Sequence, residues 1–386
     1  MAKPPLVQRI LSDRLSNGDE NKVKLKIRNQ MNFPVKMEII DEVPEQFQQR
    51  NFSIQRSFGA KQQKHIGYSL RPSSRGEYHF GQTRVYISSF LGLLLRRHDI
   101  NTQQIIPVYP SFMQLRKYQL VAKTTLINEP GSKRMKKIGH SLEFEQIRDY
   151  VTGDDIRNVN WKATARKGGL MINNYIDEKS QQVYCIIDQG RLMKMPFNGL
   201  TLLDYAINST LVLCNVCLQK QDKIGLLTFS DKMGRIVAAD RKMVQREHIL
   251  QVLYRQQTTF SESDFELLYT QVRNKIKQRS LLILYTNFES LNGLKRQLQY
   301  LRSIAKHHLL LVVFFENTEL TKLSLSDAKN IEDVYIKTIS EKFSFEKRLI
   351  VKELQKYGIL SILTTPGNLT INTVNKYLEL KSRQAL

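Results

Sequence analysis

Residues 183–229 read VYCIIDQGRLMKMPFNGLTLLDYAINSTLVLCNVCLQKQDKIGLLTF. The stretch opens on an unbroken apolar run at 183–187 and turns at Asp188-Gln189-Gly190. It then carries a helical pattern over 200–218 and closes on a second apolar run at 224–229. An apolar run with no polar alternation suits a strand covered on both faces, and a helix between two such runs suits a parallel sheet. The rhythm continues downstream. Apolar runs recur at 281–285, 309–315 and 359–363, with helical patterns over 242–254, 264–277, 293–305, 340–356 and 370–381. Residues 181–386 are therefore predicted to form a doubly wound α/β domain with a mainly parallel sheet. Such sheets bind ligands at the carboxyl ends of strands, near the point where the strand order reverses. Those ends are Asp188-Gln189-Gly190, Ser230-Asp231, Thr286-Asn287 and Phe315-Glu316-Asn317.

Towards the amino terminus the period changes from helical to two. Residues up to about Leu15 read as a polar lead-in. From Asn21, apolar Val23, Leu25 and Ile27 alternate with Lys22, Lys24, Lys26 and Arg28, as in a half-buried strand. Further strand-like runs lie at 35–40, 65–70, 77–80, 85–88 and 103–108. Turn signals separate them at Asn17-Gly18-Asp19, Asn32-Phe33-Pro34, Arg71-Pro72-Ser73 and Arg75-Gly76. Short strands with no helix between them predict an antiparallel β-sandwich of immunoglobulin-like type over residues 1–127.

Residues 128–180 join the two domains. A basic, glycine-bounded run, NEPGSKRMKKIG at 128–139, leads into GHSLEFEQIRDYVTGDDIRNVNWKATARKGGL at 139–170. This second run reads as a strand or short helix over 142–150, a turn over 151–156 and a small basic helix over 161–167. Its candidate functional residues are Glu143, Arg148, Tyr150, Gly153, Asp154, Asp155, Arg157, Trp161, Lys162 and Arg166. The carboxylates of Glu143, Glu145, Asp154 and Asp155 could gather round a nuclease-like metal, but each has a basic neighbour and salt bridging accounts for them more simply. From Lys133 to Leu170, nine Lys and Arg oppose five Asp and Glu, a small excess for gripping phosphates. The chain's one tryptophan, Trp161, fits a packing anchor better than a platform for stacking bases. The stretch is expected to be a charge-paired junction that fixes how the two domains meet.

A length of 386 residues allows two or three domains, and the net charge of +23 is far from ordinary. Such a charge suits nucleic acid, an anionic membrane face or an acidic protein partner, although Lys and Arg spread along the whole chain equally fit a solvated surface. Cys185, Cys214 and Cys217 lie in apolar patterns without zinc spacing, as buried thiols in a reducing cytosol would. No signal peptide is recognisable, and the apolar runs are too short to span a bilayer, so a soluble, cytoplasmic chain is expected.

Enzyme signatures are missing: no phosphate loop, no G-x-G-x-x-G, no G-x-S-x-G elbow and no H-E-x-x-H. Asp188 could ligate a magnesium ion with Thr286 and Asn287. In the D-x-S-x-S frame that usually supplies hydroxyls, however, Gly190 and Leu192 replace both serines, and Asn287 stands where a second aspartate would. A hard cation wants several oxygens, so a metal at this degenerate site is the weaker reading and a hydrogen-bonding role for Asp188 the stronger.

The pattern Gly139, Glu143-Phe144, Arg148, Tyr150, Gly153-Asp154-Asp155, Arg157, Asn160-Trp161-Lys162, Ala165-Arg166 and Leu170 resembles the signature of the bacterial domain-of-unknown-function 58 family. Asn160 stands where that family more often has aspartate. The resemblance extends to Leu15–Asp19, Arg75-Gly76-Glu77-Tyr78, Asp188–Arg191, Asp222–Ser230, Arg279-Ser280-Leu281 and Tyr377–Lys381. It implies an immunoglobulin-like region joined to a von Willebrand factor A-like domain. It also implies work beside a MoxR-type AAA+ ATPase, as an adaptor in assembling or activating a client protein. Many members carry two transmembrane helices ahead of the sandwich; a place at the cytoplasmic face of the membrane would suit the basic charge. A non-enzymatic interaction module is the leading expectation: the α/β domain would offer a partner its strand-end face around Asp188, Gly190, Thr286 and Asn287, and the 139–170 stretch would brace it against the sandwich and could itself contact the ATPase. The alternatives are a divalent-metal-dependent hydrolase or nuclease and a nucleic-acid-binding protein.

Overall fold

The computed structural model describes residues 3–49, 52–88, 94–111, 142–151, 154–177, 181–325 and 330–383. The amino-terminal part is built of β1 (Leu6–Ile10), β2 (Leu15–Ser16), β3 (Asn21–Arg28), β4 (Val35–Asp41), β5 (Ser53–Phe58), β6 (Gln63–Leu70), β7 (Gly76–Phe80), β8 (Thr83–Ser88), β9 (Leu95–Ile100) and β10 (Gln104–Tyr109). They form sheets β1-β3-β6, β5-β4-β8-β9 and β2-β10-β7, antiparallel throughout except that β2 and β10 run parallel. The lysine alternation of β3 does what its period requires. Val23, Leu25 and Ile27 are fully buried, with Lys22 and Lys24 exposed between them. Leu25, Ile27 and Ile66 pack on Met37, Ile39 and Val85 of the four-stranded sheet, while Leu15, Leu70, Tyr78, Phe80 and Val108 close a second cluster.

Three of these strands are invisible in the hydrophobic pattern. β1 falls in the segment expected to be a polar lead-in. What holds it is Arg9, wholly buried, whose guanidinium pairs with the buried Asp41 carboxylate and donates to Thr102 O at 2.8 Å. β5 and β9 are the two edges of the four-stranded sheet and stay largely exposed, so neither needs an apolar face.

A hairpin follows: β11 (Leu142–Asp149), helix α1 (Trp161–Lys167) and β12 (Met171–Asp177). β11 and β12 pair antiparallel from Leu142 opposite Asp177 to Asp149 opposite Met171, with a register shift between Phe144 and Gln146.

The carboxy-terminal part runs β13 (Gln182–Asp188), β14 (Pro196–Phe197), β15 (Leu200–Thr201), α2 (Leu202–Gln219), β16 (Lys223–Phe229), β17 (Met233–Asp240), α3 (Val244–Tyr254), α4 (Phe265–Lys275), β18 (Leu281–Tyr285), α5 (Leu291–Ala305), β19 (Leu309–Phe315), α6 (Thr318–Leu325), α7 (Ile331–Lys356), β20 (Leu360–Thr364) and α8 (Leu369–Ser382). The mixed sheet has the order β17-β16-β13-β18-β19-β20, with β17 antiparallel at one edge and the other five strands parallel. Successive residues of β13 enter different cores. Val183, Cys185 and Ile187 meet α2, α3 and α8, whereas Tyr184 and Ile186 meet α4, α5 and α7. That two-sided burial is why the strand reads as continuous apolar sequence. From β13 the chain builds outward to β16 and β17, then to β18, β19 and β20 on the other side. The strand order reverses between β13 and β18, which places Asp188 and Thr286 at the switch.

Several features depart from expectation, among them helix α6, which no helical pattern announces. β17 contains Gly234 and has a broken register, so it lacks the signal of a strand. Helix α7 starts at Ile331, before the expected 340; its first turns carry Ile331, Val334 and Tyr335, apolar yet exposed, which blurs the amphipathic pattern there. Among the described residues one helix, α2, is long and apolar enough to cross a membrane, and it lies buried against the sheet. The three cysteines are free and buried, and burial raises their pKa values, that of Cys214 to about 12. They are held as unreactive thiols.

The β-domain and the α/β domain meet at the start of α2. Asp204, third residue of that helix, closes a capping box: its Oδ2 accepts from Thr201 N at 3.0 Å and Thr201 Oγ1 at 2.7 Å. Its Oδ1 accepts from Asn17 Nδ2 at 3.2 Å and from the Arg75 guanidinium, both from the β-domain. Arg75 also donates to Gln256 O at 2.6 Å. Nearby, Ser111 N donates to Asn208 Oδ1 at 2.9 Å, and Tyr109 stacks on Tyr254 with ring centres 4.7 Å apart. Gly18, at φ +77°, fits because a Cβ there would come within 2.7 Å of Leu200 Cδ1 and would strain the backbone as well. Burial lowers the Arg75 pKa and Asp204 opposes the shift. Arg75→Ala leaves a buried carboxylate short of its counter-charge and is expected to lower the unfolding free energy by about 3 kcal/mol. Asp204→Asn added to it should cost less than the sum of the two single changes, measured by denaturant titration of all four proteins.

Candidate functional site

The hairpin brings most of its singled-out residues onto one small unit. Arg148 grips Asp154 through two bonds of 2.7 Å, and Val151 N also donates to that carboxylate at 3.0 Å, which closes the turn. The bond to Asp154 raises the Arg148 pKa. Lys167 Nζ reaches Asp149 at 2.9 Å across the base of α1. Asp155 accepts from Arg157 N at 3.0 Å and starts the short 3-10 turn Ile156–Asn158. Asn160 caps α1 by accepting from Ala163 N at 3.0 Å, and its Nδ2 donates to Asn173 Oδ1 at 2.8 Å. An aspartate at that position could make the cap but could not donate to β12. Tyr150 N donates to Leu170 O at 2.9 Å. Glu143 lies in β11 opposite Ile176, its side chain outside the described residues, as is Gly153.

What this unit leaves in solvent is the correction to the junction expected from sequence. Trp161 is 68% exposed at the first turn of α1, so it does not anchor the two domains. Ile156 is 69% and Val151 61% exposed, and Arg157, Lys162 and Arg166 are exposed as well. The bonds between the domains run through Asn17, Arg75 and Ser111 instead.

At the strand ends the buried Asp188 carboxylate is surrounded by donors. Oδ1 accepts from Gly190 N at 2.8 Å and from the Ser263 hydroxyl, and Oδ2 accepts from Thr286 Oγ1 at 2.6 Å. Burial raises the Asp188 pKa, and these three bonds oppose the rise. Ser263 is the residue that sequence spacing missed. It arrives from the segment after α3, and a Cβ at residue 190 would sit 2.1 Å from its Oγ. Glycine at 190 thus makes room for a hydroxyl delivered from elsewhere in the chain. Asn287, the third expected ligand, turns away: its Oδ1 accepts from Lys347 Nζ at 2.7 Å. Burial pulls the Lys347 pKa down to about 8, with Glu289 opposing.

This donor set fits a divalent cation poorly. It offers one carboxylate and two hydroxyls already bonded to it, and an ammonium occupies the asparagine that would complete it. A hard dication needs about six oxygens and little competing positive charge. Among the described residues no three His, Cys, Asp or Glu side chains converge.

Fold and site define a two-domain protein in which a β-rich unit is locked to a mixed α/β sheet, with a hairpin that exposes Trp161 between them in sequence. The chain belongs to the family described as "Protein of unknown function DUF58", which matches residues 146–350, more than half of its length. The "Uncharacterized protein YeaD" of Bacillus subtilis (strain 168) is 26% identical over 186 residues, 46% of this chain and 45% of that protein. The chain thus spans under half of that relative. Among solved structures, a PapD-like domain of human CEP192 aligns with 28% of this chain and 89% of its own (TM-score 0.22, 13% identity). A CARDB domain from Pyrococcus furiosus aligns with 27% of this chain and 93% of its own (TM-score 0.21, 13% identity). At such low scores these likenesses carry no argument.

Because the folded chain holds the Asp188 proton to higher pH than the unfolded chain, ionising this group costs stability as pH rises from about 4 through its folded pKa. Asparagine can keep all three bonds, accepting from Gly190 and Ser263 and donating to Thr286 Oγ1. Asp188→Asn is therefore expected to be more stable than the parent at neutral pH, with the gap closing towards about pH 4. Thermal unfolding across that range is the measurement; a variant less stable at neutral pH would show that the bonds to the charged carboxylate outweigh its burial.

Proposed function

We propose that the chain is a non-enzymatic adaptor that works with a MoxR-type AAA+ ATPase on a client protein, and that the hairpin between β11 and β12 is its docking element. The observation that carries this reading is Trp161, 68% exposed on a unit whose Asp154 and Asp155 carboxylates are tied into its own turns. Large side chains left in solvent on a well-bonded scaffold suit a protein contact: an aromatic anchor costs little ordering entropy, and the flanking Arg157, Lys162 and Arg166 suit an acidic partner surface. The family resemblance supplies the ATPase as candidate partner. In the same reading the β-domain is immunoglobulin-like and the α/β domain von Willebrand factor A-like, for which the antiparallel edge strand and the Asp188–Thr286 pair at the switch speak. An intracellular placement, at the inner membrane face or free of it, goes with this partner.

The test is capture of the ATPase by the full chain, with crosslinking, in the nucleotide-free, ATP-trapped and ADP states. Trp161→Ala and Arg157→Ala are each expected to weaken capture, the tryptophan change by roughly 30-fold, with unfolding midpoints unchanged. Absence of contact in every nucleotide state, or full capture by both variants, would sink the proposal.

A further inference from the structure

A cavity of about 920 Å³ opens at the carboxyl ends of β18, β19 and β20, beside the Asp188 cleft. Phe197, Leu202, Phe315, Phe343 and Leu363 supply apolar walls, and Lys347 of α7 and Asn287 line it as well. Along α7, the residues Ser340, Phe343, Lys347, Ile350 and Leu354 follow the three-four spacing of one helix face, and Ser340, Ile350 and Leu354 are buried. Lys347 thus places a charged amine on the face that buries Ser340, Ile350 and Leu354. Its partner is the neutral Asn287 Oδ1 at 2.7 Å, and the Phe314 ring centre lies 5.8 Å away.

Among the described residues no carboxylate is in hydrogen-bond contact with this largely buried ammonium, and such a group is costly unless something negative completes it. We propose that this cavity binds a small amphiphilic monocarboxylate, its carboxylate on the Lys347 ammonium and the Asn287 amide and its apolar body against Phe197, Phe315 and Leu363. Volume and lining suit a ligand of that kind, since sites for small molecules run to about 300–1,000 Å³ with mainly apolar walls. Charge decides the headgroup. Lys347 neutralises one negative charge, while Glu289, Glu316 and Glu319 line the same cavity, with Arg348 the other cation along it, and this balance disfavours a dianion such as a phosphate monoester. One of the three Nζ–H bonds is directed at Asn287 among the described residues, and a carboxylate can take the others. The inference stands apart from the adaptor reading, since it uses neither the hairpin nor the ATPase.

Decanoate is the probe, titrated calorimetrically into the full chain, with 1-decanol and decyl phosphate as comparators. Saturable binding of decanoate is expected, at least roughly tenfold tighter than either comparator. Its affinity should be level between about pH 6 and 7, where decanoate is ionised and Lys347 protonated, and fall as pH rises past about 8, where Lys347 gives up its proton. Lys347→Met should weaken decanoate by roughly tenfold or more while leaving 1-decanol unchanged. Ser344→Trp, which keeps the lysine and fills the cavity, should block all three probes. No saturable binding by the parent chain, equal binding by Lys347→Met, or decyl phosphate binding as tightly as decanoate would each overturn the proposal. Circular dichroism of both variants separates a lost site from a lost fold.

Discussion

The geometry of this protein hangs on one carboxylate. Asp204 has four acceptor positions and all are used: two by Thr201 in its own capping box, one by Asn17 and one by Arg75. The first pair fixes where α2 begins; the second fixes where the β-domain sits. A helix cap and a domain interface are therefore the same bonds, and neither can shift without unsatisfying the other. Arg75 extends the node to Gln256 O, and the Gln256 side chain accepts from Gln189 Nε2 at 2.5 Å, next to Asp188. The seating of the β-domain is in this way physically continuous with the strand-end site.

Much of the architecture could be read from period alone. The alternation in β3 and the apolar runs of β13, β16, β18 and β19 are direct consequences of one-sided and two-sided burial, so their type follows from composition. What escaped reading escaped for a shared reason: it is held by polar bonds or needs no burial. β1 depends on Arg9 and Asp41, residues distant in sequence, and β5 and β9 are exposed edges. At the site, Asp188 and Thr286 followed from strand-end position. Ser263 lies 75 residues from Asp188 and no local spacing could reveal it. Lys347 did leave a trace, as a lysine on the Ser340–Phe343–Ile350–Leu354 face of the helix expected over 340–356, but nothing in that spacing shows that Asn287 and a cavity lie opposite it.

Asp188 and Lys347 give the strand-end surface a polarity that sequence composition alone would not suggest. The carboxylate is enclosed by hydroxyls and an amide N–H, which disperse its charge without a counter-ion. The ammonium sits against an amide oxygen, close to an aromatic ring. Since Asn287 follows Thr286 in the chain, a bond to Asp188 and a bond to Lys347 come from adjacent residues at the end of β18. A cation added at Asp188 would meet this ammonium as a neighbour, whereas an anion in the adjoining cavity would relieve it. The same electrostatics that weaken a metal reading favour an acid ligand next door.

The segments that carry the family resemblance sort by what they bond. Leu15–Asp19 and Arg75–Tyr78 supply Asn17 and Arg75 to Asp204. Asp222 and the stretch from Tyr377 to Lys381 meet in another cluster, where the Tyr377 hydroxyl and Lys381 Nζ, the latter at 2.6 Å, both donate to the buried Asp222 carboxylate and tie α8 to the turn before β16. Asp188–Arg191 supplies the third. In each of these the role of the residues is discharged inside the fold, as buried acids that need their donors. The hairpin divides differently. Arg148, Asp154, Asp155 and Asn160 are spent on its own turns and caps, but among the described residues no bond of that kind accounts for an indole standing 68% in solvent. At 68% exposure Trp161 gives folding only part of what a tryptophan can, since its stabilising effect comes from burial. In the proposed reading this is a surface that gains on contact, and among the described parts of the hairpin Trp161 is where a partner would recover that burial.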